Sequence, residues 1–431
     1  MAWGFFVADR MGEAAMRVME FEEALAEVLR HARSLRERRA LRVETIPLLD
    51  AAGRVLAEPV LADRDQPPFD RATRDGFAVR AAEFSGGHAL TVVGQVRAGD
   101  AWAGEPISPG EAIEIMTGAP IPPGADAVAM IEHVALHAGS VKAAAGRSLQ
   151  GGENIVPRGS EARRGETVVA AGSLIGAAEI ALAATSGRAA LPVYAKPMVA
   201  IAATGDELVE LDQVPDARQI RNSNSYSIAA MVTAAGGGPG RLNTAKDTRD
   251  EVRLRVAQGR TWDLLLFSGG VSMGKYDLVE EVLAEFDAEF LFTGVKMQPG
   301  KPLVFGRLPK REDADGAGPE CYFFGLPGNP VSTQVTFHCF VEPFLRILCG
   351  EDIAGPRFVQ ATLAEDVPGR SGLMRVLPAR LTTDLREPSV RLVSWQGSGD
   401  LAANARANCY AVLPPDRGEF RRGEVISVLL R

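Results

Sequence analysis

The sequence predicts a multidomain α/β protein with a doubly wound α/β domain, β-rich modules and a small C-terminal β-barrel. Strand-like and helix-like segments alternate from Pro197 to Leu348, which is typical of a doubly wound sheet. Short strand-like segments separated by glycine and proline fill Leu90 to about Val156, and alternating strands return after Gly350. A chain of 431 residues is also long for one core, so several domains are expected.

Composition limits the partners and the compartment. The formal net charge is −8, so the chain lacks the broad basic field that nucleic-acid binding needs. No uninterrupted apolar run approaches the ~20 residues of a membrane span. The four cysteines show no Cys-x-x-Cys spacing and are expected to be reduced thiols. These observations predict a cytoplasmic protein that binds neither nucleic acid nor membrane.

The first element is an amphipathic helix over Phe21 to Leu35, where apolar residues recur with helical spacing between Glu and Arg. Residues 64–78 follow a connecting stretch and are rich in charge and in turn residues. We interpret them as a loop from which Asp70 and Asp75 could reach a site, although charged loop residues are usually only solvated.

The β-rich module contains one polar turn and one histidine pair. The MTGAP segment predicts a turn after a strand, which places Thr117 and Gly118 either toward a site or at a corner. His133 and His137 stand four apart in strand-like sequence, where they lie too far apart to chelate one metal directly.

The most informative stretch of the α/β region is a glycine turn. Asp263 to Phe267 is an apolar run typical of a buried strand, Ser268-Gly269-Gly270 ends it, and a helix is expected to open near Asp277. Glycine lets backbone N–H groups approach an anion, and first-turn amides lack partners within the helix. Ser268 and Ser272 add hydroxyls, and Asp277 adds a carboxylate that could hold a divalent cation. The alternative is an ordinary tight βα turn.

A basic loop strengthens the interpretation as a site. It precedes a strand predicted over Leu303 to Phe305, and its prolines make it stiff. Two phosphate-competent loops at strand ends of one sheet predict an anionic ligand at the carboxyl edge. The loop contains Lys296, Pro299, Gly300, Lys301 and Pro302.

The other elements of this region follow the same alternation. A buried strand over residues 197–203 ends in TGDE, and GLPGNP precedes a helix through Ile347. Further helices are predicted over 226–235 and 249–258, and a further strand over 322–324.

Six motifs in their order along the chain resemble one family. They are FDRATRDGFAVR (69–80), MTGAP (116–120), TGDEL (204–208), SGGVSMGKYD (268–277), PGKP (299–302) and GLPGNPVS (325–332). This set resembles the bacterial molybdopterin molybdenumtransferases and the related C-terminal domain of gephyrin. The likeness runs from about Glu20 to the C-terminus.

The resemblance implies a fold, a reaction and partners. It implies an elongated homodimer in which adenylylated molybdopterin and molybdate react with release of AMP, using Mg²⁺. The molybdopterin adenylyltransferase is a second candidate partner. The implied parts are an N-terminal helix (17–40) packed on the α/β domain, a connecting domain (41–61 and 156–195), an inserted β-rich domain (62–155), the molybdopterin-binding α/β domain (196–348) and a C-terminal β-barrel (349–431).

The resemblance also implies residue roles. Catalytic roles fall on Asp75, Glu207, Asp247, Asp277 and Lys301, of which Glu207, Asp247 and Asp277 are the expected Mg²⁺ ligands. Binding roles fall on Thr117, Ser268, Gly269, Gly270, Ser272, Pro302, Asn329, Arg375 and Ser398. Lys301, Arg375 and Ser398 match the family's molybdate pocket, where two cations and a hydroxyl suit a tetrahedral oxyanion.

Several positions depart from the family pattern. Gln298 stands where many relatives carry lysine, and Glu161 stands where aspartate is common. Residues 71–74 and 221–223 differ as well. These departures concern the metal ligands and the choice of oxyanion, tungstate included.

Two other functions compete with molybdate insertion. One is the preceding adenylyl transfer, which is disfavoured because that activity belongs to compact α/β proteins without the β modules predicted here. The other is a non-catalytic, gephyrin-type scaffold that only binds the cofactor.

Overall fold

The computed structural model describes residues 17–38, 41–270, 278–309, 320–352, 355–370, 372–384 and 387–431. The chain forms two compact units. The larger contains the described residues up to Glu44, residues 53–57 and everything from Val193 onward. The smaller contains residues 45–52 and 58–192. In the described part, no helix combines the length and the apolar character needed to cross a bilayer.

The first helix of the larger unit spans Phe21–Arg38, which confirms the predicted helix and extends it by three residues. Its buried face packs on the last helix of the α/β region, where the rings of Phe21 and Phe340 lie 5.3 Å apart. His31 lies on the same buried face, and its Nδ1 contacts the Tyr322 hydroxyl at 3.0 Å. The helix therefore forms part of the α/β core.

The central sheet of the larger unit has six strands and is doubly wound, as predicted. Alternate residues of each inner strand enter opposite cores: Leu264 and Leu266 pack on one face, and Leu265 and Phe267 on the other. The first four strands run parallel, and the fifth runs antiparallel to both its neighbours. The strand order is Gly238–Arg241, Met198–Ala203, Leu264–Ser268, Cys321–Leu326, Val304–Leu308 and Glu289–Phe292.

Helices cover both faces of this sheet. Asn224–Ala234 and the helical segment from Pro330 to Leu348 contribute to one core, and Arg249–Gly259 and Leu278–Glu285 to the other. The 330–348 segment consists of Pro330–Thr336, a π-helical turn over Phe337–Val341 and Glu342–Leu348. The predicted helix opening at Asp277 lies outside the described residues. The expected helix is present over Leu278–Glu285, and its residues Val279, Val282 and Leu283 are buried.

The C-terminal region is a closed five-stranded β-barrel, as predicted. The strand Met374–Thr382 also pairs with Cys409–Leu413, which closes the sheet and leaves no free edge there. A two-residue strand from the α/β region, Met297–Gln298, adds to Met374–Thr382 in parallel, and Leu401–Arg406 is helical. Around the barrel the strands are Met374–Thr382, Ser389–Leu392, Phe358–Leu363, Val425–Leu430 and Cys409–Leu413.

Short elements complete the larger unit. Each of these strands has only two residues. The pairs are Val18–Met19 with Gly294–Val295, Leu208–Val209 with Ile220–Arg221, and Val367–Pro368 with Glu419–Phe420.

The smaller unit contains a six-stranded sheet. Its inner strand Gly76–Val79 is fully buried, so the interpretation of residues 64–78 as one loop was wrong from Gly76 onward. This strand has four residues and follows a charged turn, so it is too short to show the periodicity by which strands are predicted. The sheet order is Ala127–Met130, Gly76–Val79, Glu111–Ile115, Leu90–Val96, Ser140–Ala143 and Val134–His137.

The histidine pair belongs to two different elements. His133 ends a 3₁₀ turn over Ile131–His133, and His137 ends the following strand, so the predicted continuous strand is interrupted.

The remaining elements of the smaller unit are short. Ala177–Thr185 forms a helix. The others are Leu48–Ala51 (3₁₀), Ala81–Ser85 (helix), Val60–Leu61 paired with Thr167–Val169, and Arg71–Ala72 paired with Ile155–Val156. The strands Val43–Pro47 and Ala190–Tyr194 span the points where the chain passes between the units.

Candidate active site

Three loops meet at the carboxyl edge of the α/β sheet. Ser268 lies between Ala203 and Leu326 in the register of three neighbouring parallel strands, so the loops that follow them start at the same level. The Thr204 amide donates to the Ser268 carbonyl (3.3 Å), and the Gly269 amide donates to the Leu326 carbonyl (3.3 Å). We call residues 204–207, 268–270 and 327–329 the turn side of the site.

The glycine turn is as tight as predicted. Gly269 and Gly270 have φ of +85° and +66°, a region that favours glycine. A Cβ on Gly269 would lie 2.7 Å from the Thr204 carbonyl oxygen, and one on Gly270 would lie 2.6 Å from Val279 Cγ2. Both positions therefore require glycine for conformation and for space. Ser272 and Asp277 lie outside the described residues.

Asn224 is a residue that the sequence analysis missed. Its Nδ2 donates to the Ser268 hydroxyl (2.9 Å), the Gly328 carbonyl (2.7 Å) and the Thr333 hydroxyl (3.3 Å). Its Oδ1 is buried without a hydrogen-bond partner in the described part of the chain. Asn224 thus joins two loops of the turn side from the first turn of a helix. The sequence feature that could have indicated this role is an asparagine at the start of a helix next to the predicted ligand edge.

Carboxylates gather at the first loop. Thr204 Oγ1 donates to Asp247 Oδ1, and the Asp247 amide donates to Asp206 Oδ1 at 3.2 Å. The Glu207 carboxylate lies against Gly205, where a Cβ would be 2.6 Å from Oε2. Glu207 and Asp247 are thus in adjacent segments, as a shared role requires. Among the described residues, no three His, Cys, Asp or Glu side chains form a set of metal ligands.

A hydrogen-bond chain fixes this loop. The Thr244 hydroxyl donates to Glu210 Oε1 (2.7 Å) and accepts from Asn222 Nδ2 (2.9 Å). Asn222 is buried, and its Oδ1 accepts from the Ser225 amide at 3.1 Å. The chain connects the strand after the first loop, the segment before Asp247 and the helix that carries Asn224.

The basic loop lies at the same edge. Val304 is opposite Gly325 of the strand Cys321–Leu326 in an antiparallel pair. Lys301 comes three residues before Val304, so it lies beyond the carboxyl end of Cys321–Leu326. The strand that follows Lys301 and the strand that ends at Ser268 are two strand spacings apart in the sheet, about 10 Å. A Cβ on Gly300 (φ +108°) would be 2.5 Å from Thr336 Cγ2, so the loop also packs on the following helix. Pro302, half-buried, follows directly.

Ser398, from the C-terminal barrel region, also lies at this edge. The Val331 amide donates to the Ser398 carbonyl at 3.0 Å, which places Ser398 at the start of the Pro330–Thr336 helix. Asn329 immediately precedes that helix, and Gly328 beside it packs on Gly269. Ser398, Asn329 and the glycine turn are therefore neighbours.

Arg375 lies across from the basic loop. It is opposite Gln298 in the parallel pair that joins the α/β region to the barrel. Its Nη1 donates to the Pro368 carbonyl, and its Nε is buried without a partner in the described residues. Burial, and then the positive charge of Arg370, lower the pKa of Arg375 from its usual value.

The two candidates in the smaller unit contact each other. Asp75 Oδ1 accepts hydrogen bonds from the Thr117 amide (2.6 Å) and hydroxyl (2.7 Å). These bonds, the amide first, lower the pKa of Asp75 from its usual value. Thr117 precedes Gly118 (φ +86°), which confirms the predicted turn.

Three family models match consecutive parts of the chain. They are the MoeA N-terminal region (domain I and II) over residues 19–187, a probable molybdopterin binding domain over 200–347 and the MoeA C-terminal region (domain IV) over 360–430.

Full-length relatives agree with these matches. A molybdopterin molybdenumtransferase of Staphylococcus aureus is 32% identical over 90% of both chains, and one of Staphylococcus epidermidis is 31% identical over 89% of this chain and 90% of the relative. The crystal structure of the molybdopterin biosynthesis moeA protein from Pyrococcus horikoshii OT3 superposes with a TM-score of 0.76 at 28% identity, covering 96% of this chain and all of that one.

The three matched regions and the full-length relatives define a multidomain enzyme of molybdenum cofactor biosynthesis. The chain belongs to the MoeA family, the molybdopterin molybdenumtransferases. Because the named relatives match along 90% of the chain, neither the adenylyltransferase alternative nor the non-catalytic scaffold is favoured.

Proposed function

We propose that this chain inserts molybdate into adenylylated molybdopterin and releases AMP. The observation that carries the proposal is the meeting of the glycine turn, the acidic first loop and the basic loop at one sheet edge. An anionic pterin phosphate and a metal oxyanion can then lie side by side. The family membership gives the reaction class, and the edge provides the two neighbouring subsites.

The turn side would hold the phosphate end of the substrate. Ser268 offers a hydroxyl and Gly270 a backbone amide, Gly269 allows the tight turn between the strand and these groups, and Ser272 is expected to add a second hydroxyl. Asn224 orients the Ser268 hydroxyl through its 2.9 Å hydrogen bond. Asn329 shapes the adjoining loop at the helix start.

The first loop fits a divalent cation. Within the described residues, Asp247 Oδ2 and both Glu207 carboxylate oxygens make no hydrogen bond, and neither carboxylate forms an ion pair. Such hard oxygens suit Mg²⁺, and Asp277 is the third expected ligand. When bound, Mg²⁺ would neutralise charge on the departing phosphate. The Thr204 hydroxyl orients the Asp247 carboxylate.

The cationic side would hold molybdate. Lys301 and Arg375 supply positive charge, Ser398 a hydroxyl, and Pro302 stiffens the loop. The unpartnered Arg375 Nε supports an anionic guest, because a buried donor without an acceptor is costly.

The assembly belongs to the proposal as well. We infer a cytoplasmic homodimer in which Asp75 and Thr117 of one subunit serve the α/β site of another, with the molybdopterin adenylyltransferase as the supplier of substrate. We also propose the five-part domain division given by the sequence. Size-exclusion chromatography with light scattering tests the dimer, and mixing Asp75→Ala with Lys301→Ala subunits should restore part of the activity if the site is shared.

The decisive experiment measures AMP release from adenylylated molybdopterin, with molybdate and tungstate compared side by side. Release should require both an oxyanion and Mg²⁺, and Asp277→Ala should abolish it. ATP-dependent adenylylation by this chain alone would favour the preceding reaction instead. Binding of the adenylylated pterin in calorimetry, with no AMP formed, would favour a scaffold.

A further inference from the structure

Two arginines lie beside Gln298 in the fold, and a lysine follows it closely along the chain. Arg375 is opposite Gln298 in the parallel strand pair, and Arg370 Nη1 donates to Gln298 Oε1 at 3.3 Å. Lys301 follows Gln298 by three residues, within about 10 Å along the chain. We call Lys301, Arg370 and Arg375 the cationic cluster.

The cluster lacks counter-charges in the described part of the chain. None of its three side chains forms an ion pair there. The neighbouring Lys296, in contrast, pairs with Glu20 at 2.5 Å, and Arg391 of the same barrel pairs with Glu365 at 3.0 Å. Like charges that are not neutralised repel one another, so this arrangement favours a bound anion.

One buried donor of the cluster also lacks an acceptor among the described residues. Arg375 Nε is the unpartnered donor described above, and the nearby charge of Arg370 further disfavours the charged form of Arg375, lowering its pKa. A tetrahedral dianion would supply acceptor oxygens and negative charge together. Arginine is suited to this because its planar guanidinium donates two parallel hydrogen bonds.

We propose that Arg370 is a further oxyanion-binding residue that, with Gln298 as its positioning residue, sets the affinity of this site for molybdate. The inference rests on the proposed function and deepens it. Gln298 contributes no charge, but its Oε1 holds the Arg370 side chain beside Arg375. The barrel thereby supplies the third positive charge of the subsite.

The test compares charge variants of the full-length protein. Arg370→Gln removes the charge, Arg370→Lys keeps it, and Arg391→Gln is the matched control, an exposed barrel arginine paired with Glu365. Molybdate dependence of AMP release gives KM and kcat, and calorimetry with molybdate, tungstate and sulfate gives direct binding. Arg370→Gln should raise the KM for molybdate about tenfold or more with kcat within about twofold, since a charged hydrogen bond is lost.

A charge-relocation variant separates binding from structure. Arg370→Gln combined with Gln298→Lys returns the charge to the neighbouring position, so molybdate affinity should recover to within about threefold of the parent. Because Arg370 is exposed, Arg370→Gln is expected to fold, and its thermal unfolding should match that of Arg391→Gln. Arg370→Lys keeps the charge but loses the planar guanidinium, so its affinity for molybdate should lie between those of the parent and Arg370→Gln.

Two outcomes overturn the inference. One is a change in molybdate binding below about twofold in Arg370→Gln; the other is an equal loss in binding of the adenylylated pterin. Failure of the proposed function is a different result. If the parent releases no AMP while Arg370→Gln still weakens molybdate binding in calorimetry, the Arg370 inference stands and the proposed reaction fails.

Discussion

The turn side and the cationic cluster share one edge but are built differently. On the turn side, polar side chains hold one another: Asn224 donates three hydrogen bonds, and Thr204 donates to Asp247. In the cationic cluster, three positive charges have no carboxylate partner among the described residues. The turn side is thus held together by its own hydrogen bonds, whereas we propose that a bound anion completes the cationic cluster. Changes on the turn side should therefore lower kcat, and changes in the cluster should raise the KM for the oxyanion.

The largest effect is expected at Gly269. Gly269→Ala places a Cβ 2.7 Å from a backbone oxygen at φ +85°, so kcat/KM for AMP release should fall at least about 100-fold and unfolding free energy by more than ~1 kcal/mol. Gly53→Ala is the control, because Gly53 has φ +76° with nothing within 4 Å. Urea unfolding and the AMP assay compare them. Equal effects of the two substitutions would show that conformation alone, not the close approach, matters.

Asn224→Ala tests the prearrangement of the turn side directly. Loss of the donor to Ser268 and Gly328 should lower kcat about 10- to 100-fold with little change in the KM for molybdate. Thr233→Ala, at an exposed hydroxyl of the same helix, serves as the control. A KM effect without a kcat effect would place Asn224 with the binding residues and remove the contrast drawn above.

Lys301→Ala tests the other side. The KM for molybdate should rise about tenfold, while calorimetric affinity for the adenylylated pterin changes by less than about twofold. Lys142→Ala, at an exposed lysine of the smaller unit, provides the control. Equal losses for molybdate and pterin would argue against a dedicated oxyanion role.

The smallest effect is expected at Asp75 in the smaller unit, whose carboxylate is held by two hydrogen bonds from Thr117. Because its folded pKa is lowered, Asp75 stabilises the fold above its unfolded pKa, about 3.9, and this stabilisation is lost as pH falls through the folded value. Thr117→Val removes one of the two donors, so stability should fall less between pH 7 and pH 3 than in Thr117→Ser. Urea unfolding at both pH values measures this, and the difference should be small because the carboxylate is exposed. A steeper loss in Thr117→Val would contradict the assignment.

The sequence predicted what depends on local pattern. The apolar run before Ser268, the two glycines and the alternation of strands and helices all carry local signals, and the structure has the sheet, the turn and the barrel they imply. The Gly76–Val79 strand was missed because four residues after a charged turn show no periodicity.

Long-range contacts explain the rest of what was missed. Asn224 contacts residues 44, 104 and 109 positions away, and Arg370 contacts Gln298 72 positions away. No local pattern connects such positions; they meet because strands of the sheet and barrel pair across the chain. The polar residues that line an edge could be predicted singly, but not which of them would touch.

The two-residue strand Met297–Gln298 has a consequence for dissection of the protein. Since it adds the basic loop to the barrel, a fragment ending near residue 348 would keep the glycine turn yet lose both arginines that face Gln298. On the proposed assignment, this fragment should still bind the adenylylated pterin, and its activity should not depend on the molybdate concentration. On the proposed assignment, the response to molybdate requires both the α/β region and the barrel.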